Sequence, residues 1–150
     1  MLPITQILVP TDFSECSIKA LETAQEFAVH FSAEVTVLHV IPPASSLVYE
    51  TPSTSIDPVI LTKELEDASR KNLTDLCVKT LSPDVRYHAL IAHGDPAGKI
   101  ADTARENGVN MIVISTHGES GWRHMLFGSV TEKVVRTADT PVLTVQPDHD

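Results

Sequence analysis

Cysteine is scarce in this sequence, and no pattern in it suggests a metal centre. Only Cys16 and Cys77 are present among 150 residues, too few and too far apart to indicate a disulfide framework or a closed metal site. The seven histidines lack the paired spacing of a zinc-binding helix. We therefore expect a reducing compartment, the cytoplasm, and no transition-metal site.

Basic residues are also few. Eleven Lys and Arg stand against twenty Asp and Glu, which gives a formal net charge of −9. Binding of duplex nucleic acid requires a basic surface that neutralises several phosphates, and an anionic membrane surface is disfavoured for the same reason. We expect neither partner, and a small anionic ligand would have to be held by local amide groups against the overall field.

Long apolar runs are missing as well. No run approaches the ~18 residues that span a bilayer, and the N-terminus lacks a basic segment followed by a signal-type apolar stretch. A chain of 150 residues with 42% hydrophobic content buries roughly two thirds of its unfolded surface. This predicts one domain over residues 1–150.

Short apolar segments alternate with helical patterns along the chain. The strand-like segments cover residues 4–9, 35–40, 85–91, 111–114 and 142–145, and helical spacing follows the first, second, third and fourth of them. The alternation predicts one mainly parallel, doubly wound sheet with helices on both faces. The alternating third segment suits the side of the sheet, and the proline-rich stretch at about 41–58 predicts a mobile loop.

A glycine-punctuated loop after the fourth strand is the main candidate for function. Gly118 is followed by nine residues and then by Gly128 and Ser129, directly before a helical pattern. Glycine allows close approach to backbone amides and a positive φ, and a helix start offers unpaired N–H groups, so the loop suits a phosphate. The alternative is structural, because Ser129 and Glu132 fit a capping box that only starts the helix.

Other phosphate-binding and catalytic patterns do not occur in the sequence. There is no Gly-x-x-x-x-Gly-Lys-Ser/Thr segment, and no Gly-x-Gly-x-x-Gly follows a strand, which excludes the best-known phosphate loops. A paired nucleophile and base is not visible either. These observations favour a binding module over an enzyme.

Two segments resemble the signatures of the universal stress protein family. Ser115-Thr116-His117-Gly118, nine residues and Gly128-Ser129-Val130-Thr131-Glu132, followed by Thr140-Pro141-Val142-Leu143, are similar to its C-terminal signature, and Val9-Pro10-Thr11-Asp12-Phe13-Ser14 to its N-terminal one. The resemblance implies a Rossmann-like five-stranded sheet of order 3-2-1-4-5. The family's ATP-binding branch has a glycine where this chain has Ser115.

With that strand order, the ends of the first and fourth strands form a crevice where such sheets bind ligands. Asp12 is then placed to accept from a ribose hydroxyl, although it also suits the start of a helix. The resemblance implies adenine at the backbone of Val40 and phosphates near the loop. The full set of candidate residues is Thr11, Asp12, Val40, Gly94, Ser115, His117, Gly118, Gly128, Ser129 and Val130. For His117, simple solvation is the alternative to a phosphate contact.

Three functional hypotheses follow. The first is a stress-response regulatory module that binds ATP or AMP, with or without magnesium, and acts as a homodimer through its short apolar C-terminal strand. The second is a dimeric interaction protein of the same family that binds no nucleotide. Ser115 is consistent with this hypothesis, because it replaces a glycine of the ATP-binding branch. The third is slow ATP hydrolysis or adenylyl-group chemistry. The sequence names no downstream protein partner.

Overall fold

The computed structural model describes residues 2–43, 57–118 and 127–146. Strands and helices alternate strictly along these residues, with one helix between each pair of consecutive strands. The elements are β1 (Gln6–Pro10), α1 (Glu15–Phe31), β2 (Glu34–Ile41), α2 (Pro58–Thr80), β3 (Tyr87–His93), α3 (Pro96–Glu106), β4 (Met111–Ser115), α4 (Ser129–Thr137) and β5 (Val142–Val145).

The five strands form one parallel sheet in the order β3-β2-β1-β4-β5. The strand β1 lies at the centre, where Leu8 is opposite Thr36 of β2 and Ile112 of β4. The predicted doubly wound fold and its strand order are therefore confirmed. None of the helices formed by the described ranges has the length and apolar character of a membrane span.

Successive side chains of a strand point to opposite faces of the sheet, so the apolar runs fill two cores. Ile7 and Val9 pack with α1 and α2 on one face. Leu8, between them, packs on the other face with residues of α3 and α4. All three side chains are fully buried, which explains why β1 reads as a continuous apolar run.

The predicted edge position of the third strand is confirmed, because β3 ends the sheet. It begins at Tyr87 and not at Val85, since the amide of Val85 closes a turn by donating to the carbonyl of Ser82 at 3.0 Å. Of the predicted loop at about 41–58, Ile41 belongs to β2 and Pro58 to α2. Residues 44–56 lie outside the described residues.

Candidate functional site

A cavity of about 330 Å³ lies at the carboxyl ends of β1 and β4. These strands are neighbours, yet the chain leaves β1 for a helix on one face and β4 for a helix on the other face. Such a reversal opens a crevice between the two connections. The lining residues are Pro10, Thr11, Asp12, Ser17, Leu38, His39, Val40, Pro96, Ile100, Ile114, Ser115, Gly118, Gly128, Ser129, Val130 and Thr131.

The turn after β1 forms one wall of the cavity and is held by short-range hydrogen bonds. The hydroxyl of Thr11 lies 2.9 Å from that of Ser17 and accepts from the amide of Phe13 at 3.0 Å. Phe13 adopts a φ of 67°, which is uncommon for a bulky residue. Ser14 caps α1 by accepting from the amide of Ser17 at 3.2 Å.

Asp12 helps to start α1 and also lines the cavity, while its role toward a ribose stays a prediction. Its Oδ1 accepts from the amide and the hydroxyl of Ser14 at 3.0 and 2.5 Å, which helps to start α1. Its Oδ2 lies close to Gly118, where an added Cβ would lie 2.5 Å from this oxygen. Strand β1 and the loop after β4 therefore meet at this carboxylate.

This contact explains the glycine at position 118. The sequence suggested ligand approach and a positive φ, but the described glycines with positive φ are Gly94 and Gly108. Gly118 does not adopt the left-handed conformation. A side chain there would require the Asp12 carboxylate to move, so the glycine is explained by this close contact and not by a positive φ.

The start of α4 forms the opposite wall, and it has no capping box. Gly128 is the N-cap, and Ser129 is the first helical residue. The carboxylate of Glu132 pairs with Arg136 at 2.6 Å, so the capping-box alternative is wrong. The first intrahelical bond joins the amide of Glu132 to the carbonyl of Gly128 at 2.9 Å.

Three amides, those of residues 129–131, precede that bond. In a helix these groups have no intrahelical acceptor, and Gly128 supplies no side-chain cap. All three residues line the cavity. A helix start concentrates a partial positive charge at such amides, so this wall is suited to an anion.

The loop after β4 is tied to the start of α4 by two hydrogen bonds. The hydroxyl of Thr131 donates to the carbonyl of Ser115 at 2.7 Å, and the amide of Gly128 donates to the carbonyl of Thr116 at 2.6 Å. Thr131 was not among the site residues predicted from the sequence. It could have been found from its position in the first turn of α4, next to the predicted residues Ser129 and Val130.

Apolar residues of β2, α3 and β4 also line the cavity, and Val40 was the one predicted from the sequence. The others are Leu38, Pro96, Ile100 and Ile114. Near them, His39 places its Nδ1 2.8 Å from the carbonyl of Thr11 and its ring 4.4 Å from the ring of Phe13. The cavity is thus lined by both apolar and polar residues.

Eight of the ten predicted residues lie together around this cavity, and two do not. Gly94 follows β3, has a φ of 132° and donates its amide to the carbonyl of Ile41 at 3.0 Å. His117 places its Nδ1 2.9 Å from the hydroxyl of Thr116. The eight lining residues are Thr11, Asp12, Val40, Ser115, Gly118, Gly128, Ser129 and Val130.

The start of α3 borders the same cavity through Pro96. Here Asp95 accepts from the amide of Gly98 at 2.9 Å and from Nζ of Lys133 at 3.0 Å. The Gly98 amide, and then Lys133, hold the pKa of the Asp95 carboxyl below its ordinary value. Both contacts favour the charged form of this cap.

The similarity to known proteins covers the same residues as the described fold. The sequence matches the model of the universal stress protein family over residues 3–146. It is 34% identical to universal stress protein YxiE of Bacillus subtilis over 147 residues, which cover 94% of this chain and 98% of that protein. These matches extend over the whole described fold.

Solved structures show the same likeness. A structure of MJ0577, a universal stress protein of Methanocaldococcus jannaschii, has a TM-score of 0.84 and 28% identity, covering 98% of this chain and 99% of that one. A universal stress protein solved in complex with cAMP has a TM-score of 0.63 and 22% identity, covering 95% and 97%. At that identity, the second likeness concerns the fold alone.

Proposed function

The chain belongs to the universal stress protein family, and we propose that it is a regulatory module that binds an adenine nucleotide and acts as a homodimer. One observation carries the proposal. The cavity at the ends of β1 and β4 is lined both by an uncapped helix start and by apolar residues. A nucleotide likewise joins anionic phosphates to a largely apolar base.

The phosphates are assigned to the start of α4. Residues 129–131, whose amides have no intrahelical acceptor, line the cavity there, and the hydroxyl of Ser129 adds a donor. Such an arrangement stabilises an anion by about 0.3–2 kcal/mol through the helix dipole. With a net charge of −9, the protein relies on these local donors to bind a phosphate.

The ribose is assigned to Asp12. A carboxylate accepts hydrogen bonds at about four lone-pair sites, and Oδ1 of Asp12 accepts from the amide and the hydroxyl of Ser14. Oδ2 lies between the turn after β1 and the loop after β4. From this place it is suited to accept from a ribose hydroxyl while the phosphates extend to α4.

The adenine is assigned to the apolar lining near the backbone of Val40. Leu38, Ile100 and Ile114 line this part of the cavity, and their burial of a flat base would supply most of the apolar contact. A volume of about 330 Å³ lies at the lower end of the range of ligand pockets, ~300–1,000 Å³. The volume suits one mononucleotide.

Dimerisation is assigned to β5. This strand of four half-buried residues pairs with β4 on one side and ends the sheet on the other. Two-fold pairing of such an edge would satisfy its outer backbone groups in a closed assembly. Light scattering from micromolar to millimolar protein tests this, and a monomer over the whole range would refute it.

The nucleotide proposal is tested on protein purified without added nucleotide. After denaturation, mass spectrometry of the released small molecules should find ATP or AMP, or calorimetric titration of the emptied protein should show saturable binding. Titrations with and without magnesium test the metal, which stays a prediction, as does the cytoplasmic location. Phosphate release during long incubation with ATP tests the slow-hydrolysis hypothesis.

A second candidate function is favoured by one residue. Ser115 stands where the ATP-binding branch has a glycine, and its side chain lines the cavity. If this serine blocks the phosphates, the chain is a dimeric interaction protein that binds no nucleotide. Absence of binding for ATP, AMP and adenosine by a folded dimer would support this second function.

A further inference from the structure

Ser115 is the point at which this chain departs from the family pattern, and its side chain has a defined role in the structure. The residue is 6% exposed and lines the cavity at the end of β4. Its hydroxyl donates to the carbonyl of His117, two residues further along, at 2.8 Å. The hydroxyl is therefore bonded within the loop.

This bond fixes the orientation of one peptide group. A trans peptide is planar, and its C=O and N–H point in opposite directions. When the carbonyl of His117 is held toward Ser115, the N–H of Gly118 is directed away from Ser115. Gly118 lines the cavity beside Asp12, so the serine hydroxyl determines how the loop presents this amide.

The same short segment is anchored at its other backbone groups. The carbonyl of Ser115 accepts from Thr131 at 2.7 Å, and the carbonyl of Thr116 accepts from the amide of Gly128 at 2.6 Å. Together with the Ser115–His117 bond, these contacts engage the carbonyls of three consecutive residues. The segment therefore has a fixed shape that depends in part on the serine side chain.

We propose that Ser115 is a positioning residue for phosphate binding. Its hydroxyl sets the His117–Gly118 peptide, so that the loop keeps its binding shape without the first glycine of the family pattern. This inference rests on the proposed nucleotide function. It assigns to Ser115 a supporting effect on binding, opposite to the blocking effect that the absent glycine would suggest.

The test compares three substitutions by calorimetric titration with ATP and with adenosine. Ser115→Ala keeps the Cβ and removes the hydroxyl, Ser115→Gly removes both, and Ser115→Thr keeps the hydroxyl. We expect Ser115→Ala and Ser115→Gly to weaken ATP about fivefold, in line with the loss of one hydrogen bond. Adenosine should change less than about twofold, and Ser115→Thr should retain ATP affinity.

A second measurement needs no ligand. Amide hydrogen exchange of Gly118 in the ligand-free protein should be several-fold faster in Ser115→Ala than in the wild type and Ser115→Thr, because the His117 carbonyl loses its partner. This measurement reports the orientation of the loop directly. It also separates loss of the hydroxyl from any crowding by the threonine methyl group.

Several results would overturn the inference. Equal or tighter ATP binding by Ser115→Ala or Ser115→Gly would show that the serine is neutral or crowds the site. Parallel losses for ATP and adenosine would show general support of the fold and no effect specific to phosphate. If the wild type itself binds neither ligand, the proposed nucleotide function fails together with this inference, and that result is visible without any variant.

Discussion

The helices α3 and α4 both begin beside the cavity, but their first turns differ. The start of α3 is closed by Asp95, whose carboxylate accepts from the amide of Gly98 and from Lys133. The start of α4 has Gly128, which offers no side-chain acceptor. A helix start thus remains available to an external anion when the preceding residue does not supply the anion itself.

The comparison also explains the position of a basic residue. Lys133 belongs to α4, yet its Nζ pairs with the cap of α3 at 3.0 Å. The two helices are therefore joined by an ion pair at the surface, and this lysine is engaged away from the amides of its own helix. The partial positive charge at the α4 start therefore comes from backbone groups and not from Lys133.

The largest effect is expected when α4 receives the kind of cap that α3 has. Gly128 has φ −68° and ψ 159°, which suit an N-cap aspartate. A Cβ there would lie 3.5 Å from the carbonyl of Thr116, an ordinary contact. We expect Gly128→Asp to weaken ATP about a hundredfold, ~2.7 kcal/mol, and to raise the free energy of unfolding by a few tenths of a kcal/mol.

Calorimetry and chemical denaturation measure these two quantities, and their opposite signs exclude misfolding as the cause. Gly128→Ala is the matched control, because it adds the same Cβ without an acceptor. An equal loss of affinity in both variants would mean that the Cβ, and not the competing carboxylate, is responsible. Unchanged affinity in Gly128→Asp would remove the α4 start from the site.

Gly118→Val tests the part of the cavity formed by Gly118 and Asp12. We expect this substitution to weaken ATP binding at least about tenfold, ~1.4 kcal/mol. The new Cβ would lie 2.5 Å from Oδ2 of Asp12, so the carboxylate must leave the position in which it accepts from Ser14. Circular dichroism should remain unchanged. Calorimetric titration that finds wild-type affinity in the folded variant would contradict the assignment of this part of the cavity.

A companion variant identifies the cause of that loss. In an Asp12→Ala background, Gly118→Val no longer meets the carboxylate, so its additional effect should be smaller than in the wild type. Such non-additivity is expected for residues in direct contact. Fully additive losses would show that the valine side chain acts on the ligand directly.

Asp95→Ala should show the reverse pattern of Gly128→Asp. Removal of the α3 cap leaves the amide of Gly98 without its acceptor and is expected to lower the Tm by about 2–4 °C. Affinity for ATP should stay within about twofold of the wild type. Thermal unfolding and calorimetry check both points, with the exposed Asp84 changed to alanine as the control for loss of a surface charge.

The smallest effect concerns pH. The pKa of the Asp95 carboxyl is lowered by the Gly98 amide and then by Lys133, so the unfolded chain binds a proton here more readily than the folded one. The stabilisation is present above the ordinary value of 3.8 and is lost as pH falls through the lowered pKa. The Tm difference between wild type and Asp95→Asn should therefore become smaller on acidification. A Tm difference that stays constant down to a pH at which the Asp95 carboxyl is fully protonated would contradict this prediction.

Much of the fold was predictable because each element carries its own signal. The apolar runs predicted buried parallel strands, and Asp95 followed by Pro96 has the residue types of a helix start, where the structure places the cap of α3. The start of α4 was misjudged for a related reason. Ser129 and Glu132 have the spacing of a capping box, but the helix begins one residue earlier than that pattern requires, and Glu132 pairs with Arg136 instead.

The site was predictable where the family pattern or a strand end marked a residue, as at Asp12 and Gly128. Gly94 was not brought to the cavity, although it follows the end of β3, because that strand lies at the sheet edge while the crevice opens between β1 and β4. Pro96 and Ile100 were missed because their signal was that of an ordinary amphipathic helix.

The sequence by itself determined the alternation of strands and helices, the acidic surface and the glycines at the loop, since these depend on residue type and on spacing within one segment. Only the tertiary structure decided that the Asp12 carboxylate lies against Gly118, that Thr131 bonds to Ser115, and that Lys133 pairs with Asp95. Each of these contacts joins residues of different elements. Their distances depend on how the crossovers place the helices around the sheet, which no local pattern encodes.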